Sequence, residues 1–527
     1  MIGNFRCKRL LMACMLLLGA TGAVANLQQT SWGLKDPDSY LQSRLVCEQK
    51  LVDLRWSFQH WPAHNRHPKP THNPTASAAQ IRAAVLRNLK QEVYLQQQKS
   101  WYFSAAVVQA EWQRIQAASQ MPKRLQQYMA ALGHDEQQIL ACLVRPALVA
   151  QHFSAVGDPD ALLGLDWRQL QRHPIQQGST LPAPRIPSPR TRHTTIWDGN
   201  HMIIWGGYWQ DFFDQYALRS GALYDPVLDQ WQFTSSANAP EGRFQHSAVW
   251  TGQEMIVWGG LNDFVHGELN SGGRYNPTTG MWQATASGIS EPRYLHTAVW
   301  SGTEMIIWGG YLPSGQGDGQ AYDPSSNQWR DLSLLNAPTP NAGHAAIWTG
   351  SEMLLWGGGN ARYKPDLDQW TAITGVNAPA GHAYPHMVWT GSFMVVWGGR
   401  LSSTTGIDTG GIYVASHDAW ISTSQDQALS GRYAAAHTWT GSELFLWGGV
   451  GDGQLMSDGS LFNPNNNSWH AVAADNAPPP SQGLSAVWTG ERVVVWGAAI
   501  RDGQSYDPST DQWHDMYGNF IFDADFE

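Results

Sequence analysis

Arginine and histidine stand three residues apart at Arg190/His193, Arg243/His246 and Arg293/His296, each pair just ahead of an apolar run ending in Trp. His344 keeps only the histidine of this pattern and Arg432 only the arginine. Such a partial cationic ring could hold a carboxylate or an acidic sugar through charge-assisted hydrogen bonds. The same side chains could instead satisfy buried backbone carbonyls, and that reading is the simpler one. A second set is aromatic: Trp209 and Phe212 lie in the segment 208–214 and Phe264 in the segment 262–266. Exposed aromatics of this kind would suit a sugar or a peptide, or would pack on one another. A third set, His60, His64, His67 and His72, has metal-binding side chains but sits in a Pro-rich stretch that reads as a solvated loop. No nucleophile elbow, zinc-protease helix or phosphate-binding loop occurs, so no catalytic residue, metal or cofactor is assigned. The loop 452–458 is acidic but lacks calcium-loop spacing.

The elements that must position these residues repeat. Trp-Gly recurs at Trp205, Trp258, Trp308, Trp356, Trp397, Trp447 and Trp496, at spacings of 53, 50, 48, 41, 50 and 49. Each has a Trp eight residues upstream (Trp197, Trp250, Trp300, Trp348, Trp389, Trp439, Trp488) and a third downstream (Trp231, Trp282, Trp329, Trp370, Trp420, Trp469, Trp513). These rows use 21 of the 28 tryptophans, which excludes coincidence. Within one repeat the residues 296–300 and 304–308 read as two strands around a Ser-Gly turn. Gly309-Gly310, a loop, a third strand, an Asp323-Pro324 turn and a fourth strand at Trp329 follow. One four-stranded meander cannot bury both faces alone; seven set radially can, with Trp side chains in the wedges. The expectation is an all-β seven-bladed β-propeller over 190–516, preceded by a small all-α domain. Each blade should be contiguous in sequence, with no strand exchanged at the ring closure, and the tail 519–522 is a possible staple of that seam.

The repeats resemble the kelch family of propellers, within the galactose oxidase/kelch-like superfamily. The marks are the double glycine, the Tyr-Asp-Pro turn (224–226, 322–324, 506–508) and the Trp five to seven residues later. The last repeat departs with Gly497-Ala498, the fifth with Tyr413-Val414-Ala415 in place of the turn. The resemblance implies a binding platform. It also brings two enzymatic alternatives: a copper oxidase, whose Cys-linked Tyr is excluded because the propeller holds no Cys, and a sialic-acid-type sugar-modifying enzyme, for which the Arg/His cluster would be the site.

The first 25 residues read as a signal peptide: Arg6, Lys8 and Arg9, an apolar run from Leu10 to Ala20, and Ala23-Val24-Ala25 before the cut. Lipidation at Cys14 is the rival reading. Removing three positive charges from a net −10 leaves the mature chain near −13, which gives no electrostatic case for nucleic acid. No later segment reaches membrane-helix length and apolarity, so no stable membrane insertion is expected. The chain is expected to be extracytoplasmic, periplasmic or secreted. Cys47 and Cys142 then remain, as one disulfide or as two buried thiols.

Residues 26–180 are rich in Gln, Ala and Leu, with helical periodicity at 79–98, 105–118, 123–132 and 135–153, and Gly133 and Gly157 as stops. A Pro-rich linker, 181–189, follows. The run Val85 to Leu95, Glu111-Trp112 and the segment 128–135 resemble the helical N-terminal domain of SurA-type periplasmic chaperones and peptidyl-prolyl isomerases. That resemblance implies a surface for extended apolar clients, although no isomerase domain follows. The leading expectation is a non-enzymatic platform for a protein or glycan, engaged on the face with long loops and skewed towards blades one to three; the alternative is a chaperone-like role for the helical domain.

Overall fold

The computed structural model describes residues 37–170 and 186–516. Within these spans it leaves aside 63–64, 66–67, 72, 75, 100, 102, 104, 158–159, 211–214, 264–266, 288–290, 313–317, 382 and 499. The expected signal peptide, most of the linker and the tail lie outside the described residues.

Seven four-stranded antiparallel sheets follow one another. Blade one consists of Thr194–Trp197, Met202–Trp205, Gly221–Asp225 and Gln230–Phe233. Blades two to seven span 247–284, 297–331, 345–372, 386–422, 436–471 and 484–515. All four strands of every blade are consecutive meander strands, so the ring closes without strand exchange, as the repeat count predicts. The first strands of successive blades pack side by side around the axis, including those of blades seven and one.

The Trp rows explain why the ring holds. The Trp ahead of each double glycine is buried in the wedge against the fourth-strand Trp of the next blade. Centroid separations are 5.2 Å for Trp205/Trp282, 4.3 Å for Trp308/Trp370 and, closing the circle, 5.4 Å for Trp496/Trp231. Offset pairs of this geometry contribute about 0.5–1.5 kcal/mol each beyond their burial. In blades one, three, four, five and seven the turn into the fourth strand is locked by a Tyr hydroxyl that donates to an Asp or Asn five residues on, as in Tyr322/Asn327 (2.6 Å) and Tyr506/Asp511 (2.7 Å). Blade five keeps this lock, Tyr413 to Asp418 at 2.6 Å, despite losing the Asp-Pro sequence. The acceptors adopt left-handed backbone angles, which Asp and Asn tolerate.

The helical domain comprises α1 (Pro37–Phe58), α2 (Ala78–Lys99), α3 (Ala105–Ala118), α4 (Pro122–Ala131), α5 (Glu136–Ile139) and α6 (Arg145–Val156), the last two joined by a π turn, Leu140–Val144. Helices α2, α3 and α4 match three periodic segments within a residue, and α5, the π turn and α6 together cover the fourth. Helix α1 is not among the periodic segments. Its buried stripe, Leu41, Arg44, Cys47 and Leu51, contains a charged residue where the helical pattern calls for an apolar one. Cys47 and Cys142 form a disulfide that ties α1 to the π turn, with Cα atoms 5.9 Å apart. Val227 and Leu228 of blade one share the core of this domain with Leu125, Leu143 and Val149, so helices and propeller are packed together.

Candidate functional site

The arginine–histidine pairs are cement between blades. Arg243 is fully buried; its guanidinium donates to the carbonyls of Glu241 (3.0 Å), Gly259 (3.0 Å) and Ser271 (2.6 Å) and to Ser271 Oγ (3.1 Å). Arg190 reaches Gly206 O and Ser220 O at 3.0 and 2.7 Å. Arg293 and Arg432 repeat the arrangement and add ion pairs to Asp318 and Asp458. Each histidine ring reaches back to a first-strand hydroxyl of the preceding blade: His246 to Thr194 (2.9 Å), His296 to Ser247 (2.7 Å), His344 to Thr297 (2.8 Å) and, across the closure, His193 to Ser485 (3.1 Å). Burial pushes all four imidazoles below the ordinary histidine range, His193 to about 3 and His344 to about 4, which keeps them neutral. Arg190, His193, Arg243, His246, Arg293, His296 and His344 are thus held between blades, with guanidinium N–H groups on backbone carbonyls and each ring Nε2 on a hydroxyl.

The double glycines belong to the same device. Gly206 has φ +66°, and a Cβ there would lie 2.7 Å from both Arg243 O and the His246 ring. Only glycine lets the next blade's pair come this close.

The long-loop aromatics fare differently. Trp209 is half-buried and packs on Tyr216, centroids 5.1 Å apart, in a small hairpin that extends blade one. Phe212 and Phe264 lie outside the described residues, as do His64, His67 and His72. His60 is described: its backbone bonds Asp198 O (2.8 Å) and accepts from Trp250 Nε1 (3.0 Å), so its place is structural. Among the described residues no three His, Cys, Asp or Glu side chains gather as for a metal ion.

A different set does converge, two residues after the buried arginine in blades one, two, three and six and at the matching positions of the other three. Arg192, Gln245, Leu295, Gly343, Tyr384, Ala434 and Gly483, one per blade, all have left-handed backbones. Several pass a hydrogen bond to the next blade, as in Gln245 N to Arg192 O (3.1 Å), Leu295 N to Gln245 O (3.2 Å) and Tyr384 N to Gly343 O (2.6 Å). They ring the mouth of the axial channel on the long-loop side. Around them stand Tyr208, Phe244, Tyr294, Tyr311, Tyr384 and Tyr433, with the exposed Arg192 and Arg400 laid against them. Arg192 lies over Tyr208 and Phe244 at 5.8 and 5.9 Å; Arg400 lies over Tyr384 at 4.7 Å and Tyr433 at 6.0 Å. Tyr294 and Tyr311 stack at 5.2 Å, and Tyr311 is 55% exposed. Stacked guanidinium and phenol rings form a rigid, amphipathic contact surface at low entropic cost. The repeat alignment carries a signal for this rim: the residue after the arginine is aromatic at Phe244, Tyr294 and Tyr433, and the residue after the double glycine is Tyr208, Tyr311 or Arg400 in three blades.

The opposite face, with the short turns, is largely occupied. Helical-domain residues bond turns of blades one, two, three and seven. Examples are Arg124 to Gly199 O (2.5 Å), Arg87 to Thr279 O (2.7 Å) and Trp300 Nε1 to Asn65 (2.8 Å). A cavity of about 410 Å³ remains between Phe58, Arg124 and the tryptophans Trp197, Trp439 and Trp488.

Fold and repeat marks together define a seven-bladed propeller built of kelch-type repeats. Residues 165–358, from the end of the helical domain into blade four, match the family model of the KLHDC2/KLHL20/DRC7 kelch-repeats domain, and over that stretch the chain is similar to that family. None of the curated proteins matches the chain.

Proposed function

We propose that this chain is an exported, non-enzymatic binding platform that grips a protein partner at the loop-face mouth of the propeller. The observation that carries this reading is the rim of tyrosines and arginines on the long-loop face, with Arg192, Arg400 and Tyr311 exposed, while the helical domain occupies the short turns of blades one, two, three and seven. Kelch propellers commonly bind proteins, which supports the reading by analogy of fold. The rim pairs guanidinium charge with aromatic faces, so it suits a segment that carries acidic and apolar side chains. Export rests on the composition of the first 25 residues. A glycan is the competing ligand, because tyrosine faces also stack on sugar rings. The SurA-type chaperone reading has less support, because the apolar residues that carry the resemblance (Val85, Leu89, Val93, Trp112, Tyr128, Leu132) are buried in the domain's own packing. Glu111 is held by Arg114 and Gln230 of blade one.

A peptide array and a glycan array, each probed with the full chain and with the Tyr311→Ala/Arg400→Ala variant, test the reading. Acidic, apolar peptides bound by the parent should weaken at least tenfold in the variant. Peptide binding that ignores both substitutions, or capture of glycans alone, would sink it.

A further inference from the structure

The inter-blade seams are not built alike. Blade six has Glu443 in the turn between its first two strands, against His470 of its fourth strand (3.6 Å); blades two, three and four carry a Glu in the same turn, Glu254, Glu304 and Glu352. In these three it pairs with an outer-strand Arg: Arg274 at 3.4 Å, Arg330 at 2.7 Å and Arg362 at 3.0 Å. Arg274 reaches on to the carbonyl of Pro324 in the next blade, and Arg362 to the corresponding carbonyl of Ala415 at 3.2 Å. Blades one, three, five and six place Leu223, Ala321, Ile412 and Leu461 at the third-strand position that Arg274 and Arg362 take, and Arg330 of blade three stands on the fourth strand opposite Ala321.

Blade seven fits neither scheme. Its turn position holds Arg492, opposite in charge to the glutamates. Ser505, opposite Val494 as Arg274 is opposite Ile256, replaces the third-strand arginine and is fully buried. The missing partner comes from outside the ring. Gln120, between α3 and α4, is 3% exposed and sits in the seam. Its Oε1 accepts from Arg492 (2.7 Å) and Ser505 Oγ (2.5 Å), its Nε2 donates to Asp515 O (3.0 Å), and its backbone N–H donates to Pro226 O (2.7 Å). Pro226 O is blade one's equivalent of the Pro324 and Ala415 carbonyls. A neighbouring contact repeats the bridge: Glu491 of blade seven accepts from the backbone of Lys123 and Arg124 at the start of α4 (3.4 and 3.3 Å), while the Arg124 side chain donates to Gly199 O of blade one.

We infer that the helical domain has a further function as the clasp of the propeller, with Gln120 inserted where a ring without strand exchange has its first and last blades side by side. The glutamine supplies the kind of inter-blade bond that Arg274 supplies between blades two and three and Arg362 between blades four and five. Without it, buried Ser505 loses its side-chain partner, and Arg492 keeps only the longer pair with Asp507 (3.8 Å).

Hydrogen exchange on the full chain tests this. Gln120→Ala should speed amide exchange at least tenfold in the strands of blades seven and one, leaving blades three and four at the parent rate. Arg87→Ala, which removes a docking bond to blade two, should leave the seam protected. Placing the blade-two pair at the seam, Arg492→Glu with Ser505→Arg on Gln120→Ala, should restore protection without the glutamine. Seam exchange unchanged by Gln120→Ala, or faster only within the helices, overturns the clasp. If Gln120→Ala does not fold, the triple variant decides: a folded chain with a protected seam supports it, and failure to fold rejects it.

Discussion

The two faces of this propeller are made by the same seven repeats and have opposite fates. On the short-turn face, helices seal blades seven, one, two and three, and tryptophan nitrogens find helical-domain acceptors. On the long-loop face no described helix intervenes, and tyrosines and arginines stand in solvent. The contrast is sharpest within four residues of one segment: Arg190 is 2% exposed between blades, whereas Arg192 lies open over Tyr208. Residue type did not assign these roles. What decided them was whether the next blade's backbone closed over the side chain.

The comparison can be broken first at the covered face. Cys47→Ser should remove a cross-link spanning 95 residues, which the chain-entropy account values at about 4–5 kcal/mol. Denaturant titration followed by helical circular dichroism should show the helical transition moving to lower denaturant, with peptide binding at the open face retained while the ring stays folded. Next comes the buried cement. Arg243→Ala removes the guanidinium donor from the carbonyls of Glu241, Gly259 and Ser271, the last of which keeps the Gly259 N–H, and should cost about 3 kcal/mol, read as a drop in the unfolding midpoint. The equivalent change at Arg192 should stay within about 0.5 kcal/mol.

The histidines give a pH test of the same distinction. Their folded pKa values are depressed, so the unfolded chain takes up protons first as pH falls. Their contribution is whole above pH about 6.5 and is lost as pH drops from there towards 4. The loss approaches about 1.4 kcal/mol per pH unit for each histidine that stays neutral in the fold. Melting temperature measured between pH 7 and 4 should fall accordingly, and His296→Gln should flatten the slope. A parent chain with a flat profile over that window would mean the rings are not held neutral. The smallest structural effect belongs to the rim: Tyr311→Ala should leave the melting temperature almost unchanged while removing partner binding.

Much of this was legible in the chain. The number of blades, their contiguity, the Trp wedges and the absence of strand exchange follow from the repeat, because each blade is a local meander whose marks sit at fixed offsets. Four helical segments were legible for the same reason, while α1 was not, because buried Arg44 interrupts its apolar stripe. The sequence left the site open between two readings, a ligand ring and inter-blade cement, because the choice depended on neighbours. The Arg-x-x-His pairs attract attention as charges, yet the arginines' inter-strand partners are carbonyls 16 to 30 residues away in sequence. The rim is spread over residues from Arg192 to Tyr433 that meet only when the ring closes.

By itself, then, the sequence determined the blade and its sevenfold count, through turn chemistry and Trp spacing that act within about fifty residues. The tertiary structure alone decided which arginines became cement and which became surface. It also decided that Gln120 would stand in the seam beside Ser505, 385 residues away. Local patterns encode strands and turns. Burial of a charge is settled by whatever packs against it, and in a closed ring that neighbour comes from another repeat or another domain.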